Sequence, residues 1–321
     1  MINRLTRFII SEWKDSRDVS TLLSRSRLYS LYKLISARLM YGATTEDYLS
    51  LEMYNNSSRK NRSFLTSSKN WKILHDLSSK ESIDIINNKY KFNTKFNNYL
   101  GRDWIFASQK NNNIDGFIEK YKSVIVKPVD GCEGKGIFIL SIDDRHELKE
   151  LDKSLSNGAE YMIEQLLTQH EEMARLNPDC INTVRVETMI DSKGNPHITN
   201  TIAIMGTKGG LTNNAHNGGI MCHIDPDGGF ITGAARNPKG IKSYYHPDSH
   251  LALPGFKIPE WNKIIDFAKE LALVLPDARY VGWDIALTPV GPVVIEGNIN
   301  PGHCTQACDM VGRWPLLKSL I

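Results

Sequence analysis

One stretch near the C-terminus, Tyr280–His303, constrains the chain more than any other. It predicts two buried strands, because Val281–Leu287 and Val293–Ile295 are apolar runs separated by a Thr-Pro-Val-Gly-Pro turn. Each strand carries one carboxylate, Asp284 on the first and Glu296 at the end of the second. A hairpin of this kind therefore predicts that the two carboxylates lie side by side.

Two neighbouring carboxylates in an apolar setting repel each other and are costly to remove from water, so a cation is expected beside them. Asn298 is two residues beyond Glu296 and points to the same face of an extended strand. Carboxylate and amide oxygens are suitable ligands for a Mg²⁺ ion that carries phosphates. The pattern predicts a metal site at Asp284, Glu296 and Asn298. The alternatives are an ion pair with Lys or Arg, and solvated carboxylates in a loop.

The composition is that of a soluble globular protein, since 41% of the 321 residues are hydrophobic and 23% are charged. This length allows a large core and two or three lobes. No apolar run approaches the roughly 18 residues of a membrane-spanning helix, and the N-terminus lacks the apolar core of a signal peptide. The five scattered cysteines show no CxxC spacing and favour reduced thiols, so we expect a cytoplasmic protein.

The first quarter of the chain is predicted to be helical and basic. Residues 1–80 contain 14 Lys or Arg against 7 Asp or Glu, which leaves the remainder of this +3 chain near −4. Apolar residues at helical spacing predict a helix whose apolar stripe faces the core and whose basic face is solvated; they are Leu28, Leu31, Tyr32, Ile35 and Leu39. The alternative is docking of this helix on an anionic membrane. No nucleic-acid-binding module is recognisable, so no nucleic-acid partner is expected.

A second informative stretch is a glycine-rich loop between two predicted strands. The first strand, Ser123–Pro128, carries Lys127 near its end, and the second is Ile137–Leu140. The loop between them contains Gly131, Gly134 and Gly136. Its backbone N–H groups are suited to approach a polyphosphate that Lys127 neutralises. The loop lacks the Ser/Thr and the following helix of a Walker A motif, and the alternative is a tight hairpin that binds no ligand.

A further strand pair and one helix complete the pattern. Asn182–Ile190 alternates apolar and polar residues, places Arg185 and Glu187 on one face, and is expected to pair with His197–Met205. A helix is predicted to open at Pro259. Its buried face would comprise Trp261, Ile264, Ile265, Ala268, Leu271, Ala272 and Leu275.

The order of these features resembles the ATP-grasp superfamily of carboxylate–amine ligases: a lysine-ended strand, a glycine hairpin, a linker strand and an Asp…Glu-x-Asn hairpin. Residues 296–302 have the E-x-N-x-x-P-G spacing of D-alanine–D-alanine ligases, and Asp284 precedes Glu296 by twelve residues. The segments KPVDGCEGKGI, NTVRVET, NGGI and GWDIALT…GPVVIEGN are most similar to the sugar-transfer-associated ATP-grasp group, found among polysaccharide-biosynthesis genes. The resemblance covers roughly residues 85–312.

The resemblance implies an α+β fold of the ATP-grasp type, in which two α/β subdomains grip ATP between antiparallel sheets, with a helical N-terminal extension. On this basis residues 1–84 form a basic helical region, and residues 85–168 form an N-terminal lobe with the phosphate loop and the hinge. Residues 169–321 form a C-terminal lobe with the metal and acceptor sites.

For ATP, the resemblance implies that Lys127 and the upstream Lys89 contact phosphates. The loop would close over them, with Gly131, Gly134, Lys135 and Gly136 as binding residues. The adenine hinge would be formed, partly through backbone groups, by Glu164, Gln165, Leu166 and Leu167. Both Glu171 and Glu172 remain candidates for the ribose.

For the chemistry, the resemblance implies two Mg²⁺ ions that bridge the β- and γ-phosphates and are held by Asp284, Glu296 and Asn298. Arg185 would stabilise the transferring phosphoryl group and the later tetrahedral intermediate. Backbone N–H groups around Asn300 and Gly302 would face the carbonyl of the acyl phosphate.

The expected activity is that of an ATP-dependent carboxylate–amine ligase that joins an amino acid or peptide to a sugar, a uronic acid or amino sugar, in cell-surface polysaccharide biosynthesis. Phosphoryl transfer gives the carboxylate a good leaving group, so the chain needs no covalent nucleophile. The alternatives are an ATP-grasp phosphotransferase and a non-catalytic nucleotide-binding protein. Peripheral contact of the basic N-terminal region with the inner face of the membrane stays open, as does the oligomeric state.

Overall fold

The computed structural model describes residues 4–110, 114–129, 135–207, 218–237, 240–301 and 303–321, with side chains from residue 10 onward except those of 303 and 304. Its α-helices are α1 (Arg4–Leu23), α2 (Arg27–Tyr41), α3 (Thr45–Ser50), α4 (Ser58–Ser63), α5 (Ser67–Leu77), α6 (Lys80–Asn87), α7 (Lys89–Lys95), α8 (Ile114–Tyr121), α9 (Arg145–Ser156), α10 (Glu171–Ala174), α11 (Trp261–Val274) and α12 (Trp314–Leu320). Short 3₁₀-helices span Asn97–Tyr99 and His303–Cys308.

The strands are β1 (Trp104–Ala107), β2 (Ser123–Pro128), β3 (Phe138–Ser141), β4 (Tyr161–Gln165), β5 (Thr183–Ile190), β6 (Pro196–Met205), β7 (Ile220–His223), β8 (Ala235–Arg236), β9 (Lys242–Ser243), β10 (Tyr280–Thr288) and β11 (Gly291–Asn298). The chain divides into two compact units. One comprises Met1–Asp76 with Gly302–Ile321, and the other spans Leu77–Pro301. Among the described residues, no helix is both long and apolar enough to cross a membrane.

The first unit is helical, as the sequence predicted for the N-terminal region, and the C-terminal residues 302–321 join it. Its core is built from residues of several helices and loops: Val19, Leu34, Ala37, Ala43, Tyr48, Leu51, Met53, Phe64 and Ala307. Helix α2 begins after Ser26, whose side chain accepts a hydrogen bond from the N–H of Tyr29, and ends at Gly42, which adopts φ of +68°.

The predicted orientation of α2 is wrong. The face that packs inward carries Ser30, Leu34 and Ala37. Leu28, Tyr32 and Leu39 of the predicted core stripe are 70%, 64% and 79% exposed. Leu34 and Ala37 join Val19 of α1 and Tyr48 of α3 in the core of this unit, so the face that carries them is the buried one. The helix therefore presents Leu28, Tyr32 and Leu39 to solvent, whereas Leu31 and Ile35 are half-buried.

The second unit contains two antiparallel sheets. The smaller sheet has the strand order β1-β4-β2-β3, and the pairing of β2 with β3 confirms the predicted strands around the glycine-rich loop. Helices α8 and α9 cover it with Ile114, Ile118, Leu151 and Leu155, which belong to one apolar cluster with the sheet residues Val124, Val126, Leu140 and Ile163. Lys127 follows the buried Val126 of this cluster near the end of β2, so the packing of the cluster sets the position of the Lys127 backbone.

The larger sheet has the order β11-β10-β5-β6-β7-β8-β9. Helix α11 packs on it with Trp261, Ile264, Ala268, Leu271 and Ala272, all of which the sequence assigned to the buried face. The predicted pairing of β5 with β6 and the predicted hairpin of β10 and β11 are both confirmed. The sheet thus carries the hairpin with its two carboxylates at one edge.

Candidate active site

The carboxylate pair lies in a row of residues that crosses three strands. Asp284 on β10 is directly opposite Glu296 on β11 and directly opposite Arg185 on β5. Residues that face each other across antiparallel strands project from the same side of the sheet. The register therefore brings together two carboxylates and one guanidinium that are far apart in the sequence.

Arg185 and Asp284 form a bidentate ion pair. The Arg185 Nε donates to Oδ1 of Asp284 over 2.7 Å, and its second terminal nitrogen donates to Oδ2 over 2.8 Å. Its first terminal nitrogen donates to the carbonyl of Pro301 over 3.3 Å. Burial lowers the pKa of Arg185, but the Asp284 carboxylate outweighs burial and holds that pKa above its ordinary value. The guanidinium is thus fixed between the carboxylate pair and the segment that follows β11.

No Lys or Arg among the described residues forms an ion pair with Glu296 as Arg185 does with Asp284, and Asn298 Nδ2 lies 3.5 Å from Oε1 of Glu296. Glu296 is exposed, but many protein atoms lie around its carboxylate. The loss of hydration that they cause raises the pKa of Glu296, and the charge of Asp284 raises it further. The charges of Arg185 and Lys127 oppose the rise. A divalent cation would relieve this repulsion, so the donor set fits Mg²⁺. Among the described residues, no group of three His, Cys, Asp or Glu is placed to hold a metal, and the predicted third ligand, Asn298, lies beside Glu296.

Lys127 belongs to a second charged group, on the smaller sheet. Its Nζ donates to Oε2 of Glu164 over 2.6 Å, and Nε of Arg102 donates to the same oxygen over 2.7 Å. Asn93 donates to the other carboxylate oxygen over 2.9 Å. Burial raises the pKa of Glu164, but the charges of Arg102 and Lys127 together hold it well below the ordinary value. Glu164 therefore remains ionised, with two cations against it.

Lys89, the other predicted phosphate lysine, begins α7, and its Nζ donates to the carbonyl of Val129 over 3.4 Å. It thus lies where β2 passes into the glycine-rich loop. Gly131 and Gly134 lie outside the described residues. Lys135 is exposed, and Gly136 adopts φ of +74° with a built Cβ only 2.9 Å from Cγ of Pro128, so this position requires glycine.

The predicted adenine hinge begins at the end of β4, which contains Glu164 and Gln165. The side chain of Glu164 is bound to Arg102, Lys127 and Asn93, which leaves the backbone as the part that would meet a base. The Gln165 N–H donates to the carbonyl of Asp103 over 2.9 Å, and Leu166 and Leu167 are half-buried beyond the strand. The hinge assignment stays a prediction.

The ribose candidates and the acyl-phosphate residues are also placed. Glu172 pairs with Arg175 over 2.6 Å, whereas Glu171 is exposed at the start of α10. Asn300 is exposed just beyond β11, and Gly302 lies outside the described residues. These assignments, too, stay predictions.

Three residues of this region have no counterpart in the sequence-based set. Arg102 and Asn93 hold Glu164, and Glu187 is buried with Tyr280 Oη donating to its Oε2 over 2.7 Å. The sequence places Glu187 on the same strand face as Arg185 but predicts no role for it. No local pattern marks Arg102 or Asn93, since each acts on a strand more than sixty residues away.

Comparisons with known proteins identify the family of this chain. A model of the family described as sugar-transfer associated ATP-grasp matches residues 57–320, which confirms the family, the ATP-grasp fold and the ATP-grasp ligase class predicted from the sequence. No curated protein matches the chain. The solved structures that resemble it include D-alanine–D-alanine ligase from Bacillus anthracis, with 13% identity over 78% of this chain and 77% of that chain and a TM-score of 0.43. They also include D-alanyl-alanine synthetase A from Vibrio cholerae O1 biovar eltor, at 12% identity over 75% and 62% with a TM-score of 0.45. A third is the ATP-grasp ligase PsnB in complex with minimal precursor, Mg and ADP, at 15% identity over 82% and 68% with a TM-score of 0.44.

Proposed function

We propose that this chain, which belongs to the sugar-transfer-associated ATP-grasp family, joins a carboxylate to an amine through an acyl phosphate formed with ATP. On this proposal its substrates are an amino acid or peptide and a sugar that carries a carboxylate or an amine, such as a uronic acid or an amino sugar. On this proposal the protein acts in the cytoplasm, and its product is used in the biosynthesis of cell-surface polysaccharide. The observation that carries the proposal is the meeting of Arg185, Asp284 and Glu296 on one sheet face, with Lys127 close enough to influence Glu296.

The proposed reaction replaces a poor leaving group with a good one. An oxygen of the substrate carboxylate attacks the γ-phosphorus of ATP, the bond to the β–γ bridging oxygen breaks, and ADP leaves with the electron pair. The amine of the second substrate attacks the acyl carbon, its nitrogen loses a proton, and phosphate leaves with the electrons of the C–O bond. The protein must then supply positioning and charge neutralisation, which is what the site offers.

The side chains divide this work. Lys127 and Lys89 would bind phosphate oxygens, because both ammonium groups lie where β2 meets the glycine-rich loop. Arg185 would stabilise charge on the transferring phosphoryl group and on the tetrahedral intermediate, since its guanidinium spans Asp284 and the carbonyl of Pro301.

Asp284, Glu296 and Asn298 would hold Mg²⁺, and we propose two ions. Bound there, Mg²⁺ would neutralise the charge of phosphate oxygens. Support comes from the raised pKa of Glu296, which is caused first by loss of hydration and then by the charge of Asp284.

The activity test measures ADP and inorganic phosphate separately, with Mg-ATP and a grid of amino acids against uronic acids, amino sugars, nucleotide sugars and lipid-linked sugars. Asp284→Asn is the inactive variant. Asp309→Asn is its matched control, because Asp309 also accepts from a mostly buried arginine, Arg313, but lies in the helical unit. We expect ADP and phosphate together, only when both substrates are present, from the wild type and from Asp309→Asn.

Two results would replace the proposal. ADP without phosphate, formed with a single acceptor, would make the chain a phosphotransferase. Mg-ATP binding without turnover across the whole grid would make it a nucleotide-binding protein. Full activity of a folded Asp284→Asn variant would refute the role of this carboxylate in metal binding.

We also propose that the helical unit contacts an anionic membrane surface, which would bring the site to lipid-linked acceptors. The exposed stripe of α2 supports this, since Leu28, Tyr32 and Leu39 are all more than half exposed. Residues 1–41 contain eight Lys or Arg against three Asp or Glu, and Lys33 lies over the ring of Tyr29 at 5.4 Å. Apolar and aromatic side chains beside basic ones are the features by which helices bind anionic bilayers.

Cosedimentation with phosphatidylglycerol and phosphatidylcholine vesicles tests this contact. We expect binding to the anionic vesicles, weakened by salt and by the double variant Leu28→Ser/Leu39→Ser. Val290→Ser is the matched control, because Val290 is 93% exposed but lies in the turn between β10 and β11. Equal binding of all variants would contradict the proposal, and a dimer in lipid-free solution that Leu28→Ser/Leu39→Ser dissociates would show that the stripe binds a second copy instead.

A further inference from the structure

Arg102 contacts both sheets of the second unit. Its side chain is 2% exposed and lies just before β1. On the smaller sheet its Nε donates to Glu164 over 2.7 Å. On the larger sheet its terminal nitrogens donate to the carbonyl of Val294 over 2.8 Å and to that of Ile295 over 3.4 Å. One guanidinium therefore joins β4, which carries Glu164, to β11, which carries Glu296.

The contact on the larger sheet falls on a β-bulge. Asp284 pairs with Glu296, but the next residue, Ile285, pairs with Val294, so Ile295 has no opposite residue in the described register of β10 and β11. A bulge leaves backbone groups outside the regular ladder and changes the direction of the side chains next to it. Here it lies immediately before Glu296. The Arg102 guanidinium binds the carbonyls of Val294 and Ile295, the two residues that precede Glu296 at the bulge. These bonds hold the backbone from which Glu296 projects towards Asp284.

The contact on the smaller sheet sets the charge available at Lys127. Glu164 accepts from Lys127 and from Arg102 on the same oxygen. If Glu164 had Lys127 as its sole cation, the two charges would cancel. With Arg102 present, the buried group retains one positive charge in excess, and Lys127 carries the more accessible share, since its side chain is 12% exposed against 2% for Arg102. This excess positive charge would attract a phosphate anion to Lys127.

We propose that Arg102 is a positioning residue that balances the charge of Glu164, so that the charge of Lys127 stays available to a phosphate, and that it aims Glu296 at the metal site through the bulge. It need not touch either substrate. This inference rests on the proposed function, because it concerns how the nucleotide and metal residues of that site are held. The two effects run through different contacts of one side chain, so they are separable by substitution.

The experiment compares Arg102→Met, Arg102→Lys, Glu164→Gln and the double variant Arg102→Met/Glu164→Gln. The dissociation constant for Mg-ADP is measured by calorimetry, and kcat and KM for ATP are measured at saturating second substrates. The wild type is measured first: absence of Mg-ADP binding there refutes the proposed function, whereas the comparison among variants tests Arg102. Arg313→Met is the control, because Arg313 also binds a carboxylate and a carbonyl but lies in the helical unit.

We expect Arg102→Met to weaken Mg-ADP binding by about 10- to 100-fold, since a charge-assisted interaction is lost, and to lower kcat as well. Adding Glu164→Gln removes the charge that opposes Lys127, so binding should recover while kcat stays low. Arg102→Lys retains the charge but loses the fork that reaches two carbonyls, so it should bind Mg-ADP nearly as the wild type does, with a reduced kcat. Arg313→Met should change neither constant.

Two results would overturn the inference. One is a folded Arg102→Met variant whose binding and kcat both stay within about twofold of the wild type. The other is a double variant in which Mg-ADP binding and kcat both recover. Arg102 would then act only by balancing the charge of Glu164, and its contact with the bulge would have no role. If Arg102→Met does not fold, Arg102→Lys decides: an unchanged kcat would refute the positioning of Glu296.

Discussion

Gly101→Ala tests the packing that places Arg102 between the two sheets. Gly101 has φ of +59°, and a Cβ added there would lie 2.2 Å from Cγ1 of Val293 and 3.2 Å from its Cβ. A left-handed backbone costs an L-residue about 1–2 kcal/mol, and overpacking a close-fitted core costs about 1–3 kcal/mol. Since both costs apply here, we expect the free energy of unfolding to fall by about 2–5 kcal/mol.

The assay is urea denaturation followed by circular dichroism, with the free energies compared at a common m-value. Gly158→Ala is the matched control, because Gly158 has φ of +90° but its built Cβ meets no atom of the described residues within 4 Å. It should lose the backbone cost alone, about 1–2 kcal/mol. Val293→Ala removes the clashing methyl, so the double variant with Gly101→Ala should lose less than the two single losses together. If Gly101→Ala is no less stable than Gly158→Ala, the reasoning from close packing is refuted.

Three further predictions use single contacts. Tyr280→Phe removes the donor to the buried Glu187 carboxylate and should cost about 1–3 kcal/mol in urea denaturation; an unchanged midpoint would mean that another group replaces the hydroxyl. Burial lowers the pKa of His246 below its ordinary 6.5, so the unfolded chain takes up a proton first and stability should fall as the pH drops below about 6.5. His246→Gln should remove that part of the pH dependence, and an identical profile in the variant would assign it to neighbouring groups. Lys127→Ala should weaken Mg-ATP binding by about 10- to 100-fold in calorimetry, and unchanged affinity would remove Lys127 from the site.

The parts of the site that follow strand periodicity were predictable. Asp284 and Glu296 lie on two apolar runs separated by a turn, and such runs pair in one way when each must bury its apolar residues. The alternation of β5 predicted that Arg185 and Glu187 share one face, but the pairing of β5 with β10, which brings Arg185 opposite Asp284, was not predicted. The bulge at Ile295 was not predictable, since the local sequence is an ordinary β-branched run.

The parts that depend on distant partners were not predictable. The α2 stripe has the spacing of a core face, and the sequence alone does not show that the fit of Leu34 and Ala37 turns it towards solvent. The family resemblance assigned Glu164 to the adenine hinge, and that assignment gives no information on what its side chain contacts. Its side-chain partners, Asn93 and Arg102, come from segments whose approach to β4 depends on how the sheets pack.

The site thus consists of two groups with opposite excess charge, each set by one arginine. Arg102 gives the group of Lys127 and Glu164 one positive charge more than it needs for neutrality, whereas Arg185 leaves the pair Asp284 and Glu296 one negative charge in excess when both are ionised. A phosphate suits the first group and a divalent cation suits the second, so the arrangement is complementary to a metal–phosphate pair rather than to either ion alone. Removing Arg102 would leave Lys127 and Glu164 with no net charge, and removing Arg185 would leave two negative charges on Asp284 and Glu296. Neither change would alter the charge of the other group. We therefore expect loss of the Arg102 charge to weaken nucleotide binding through Lys127, in addition to its effect on kcat through the bulge, and substitutions of Arg185 to act mainly on the rate of the chemical step.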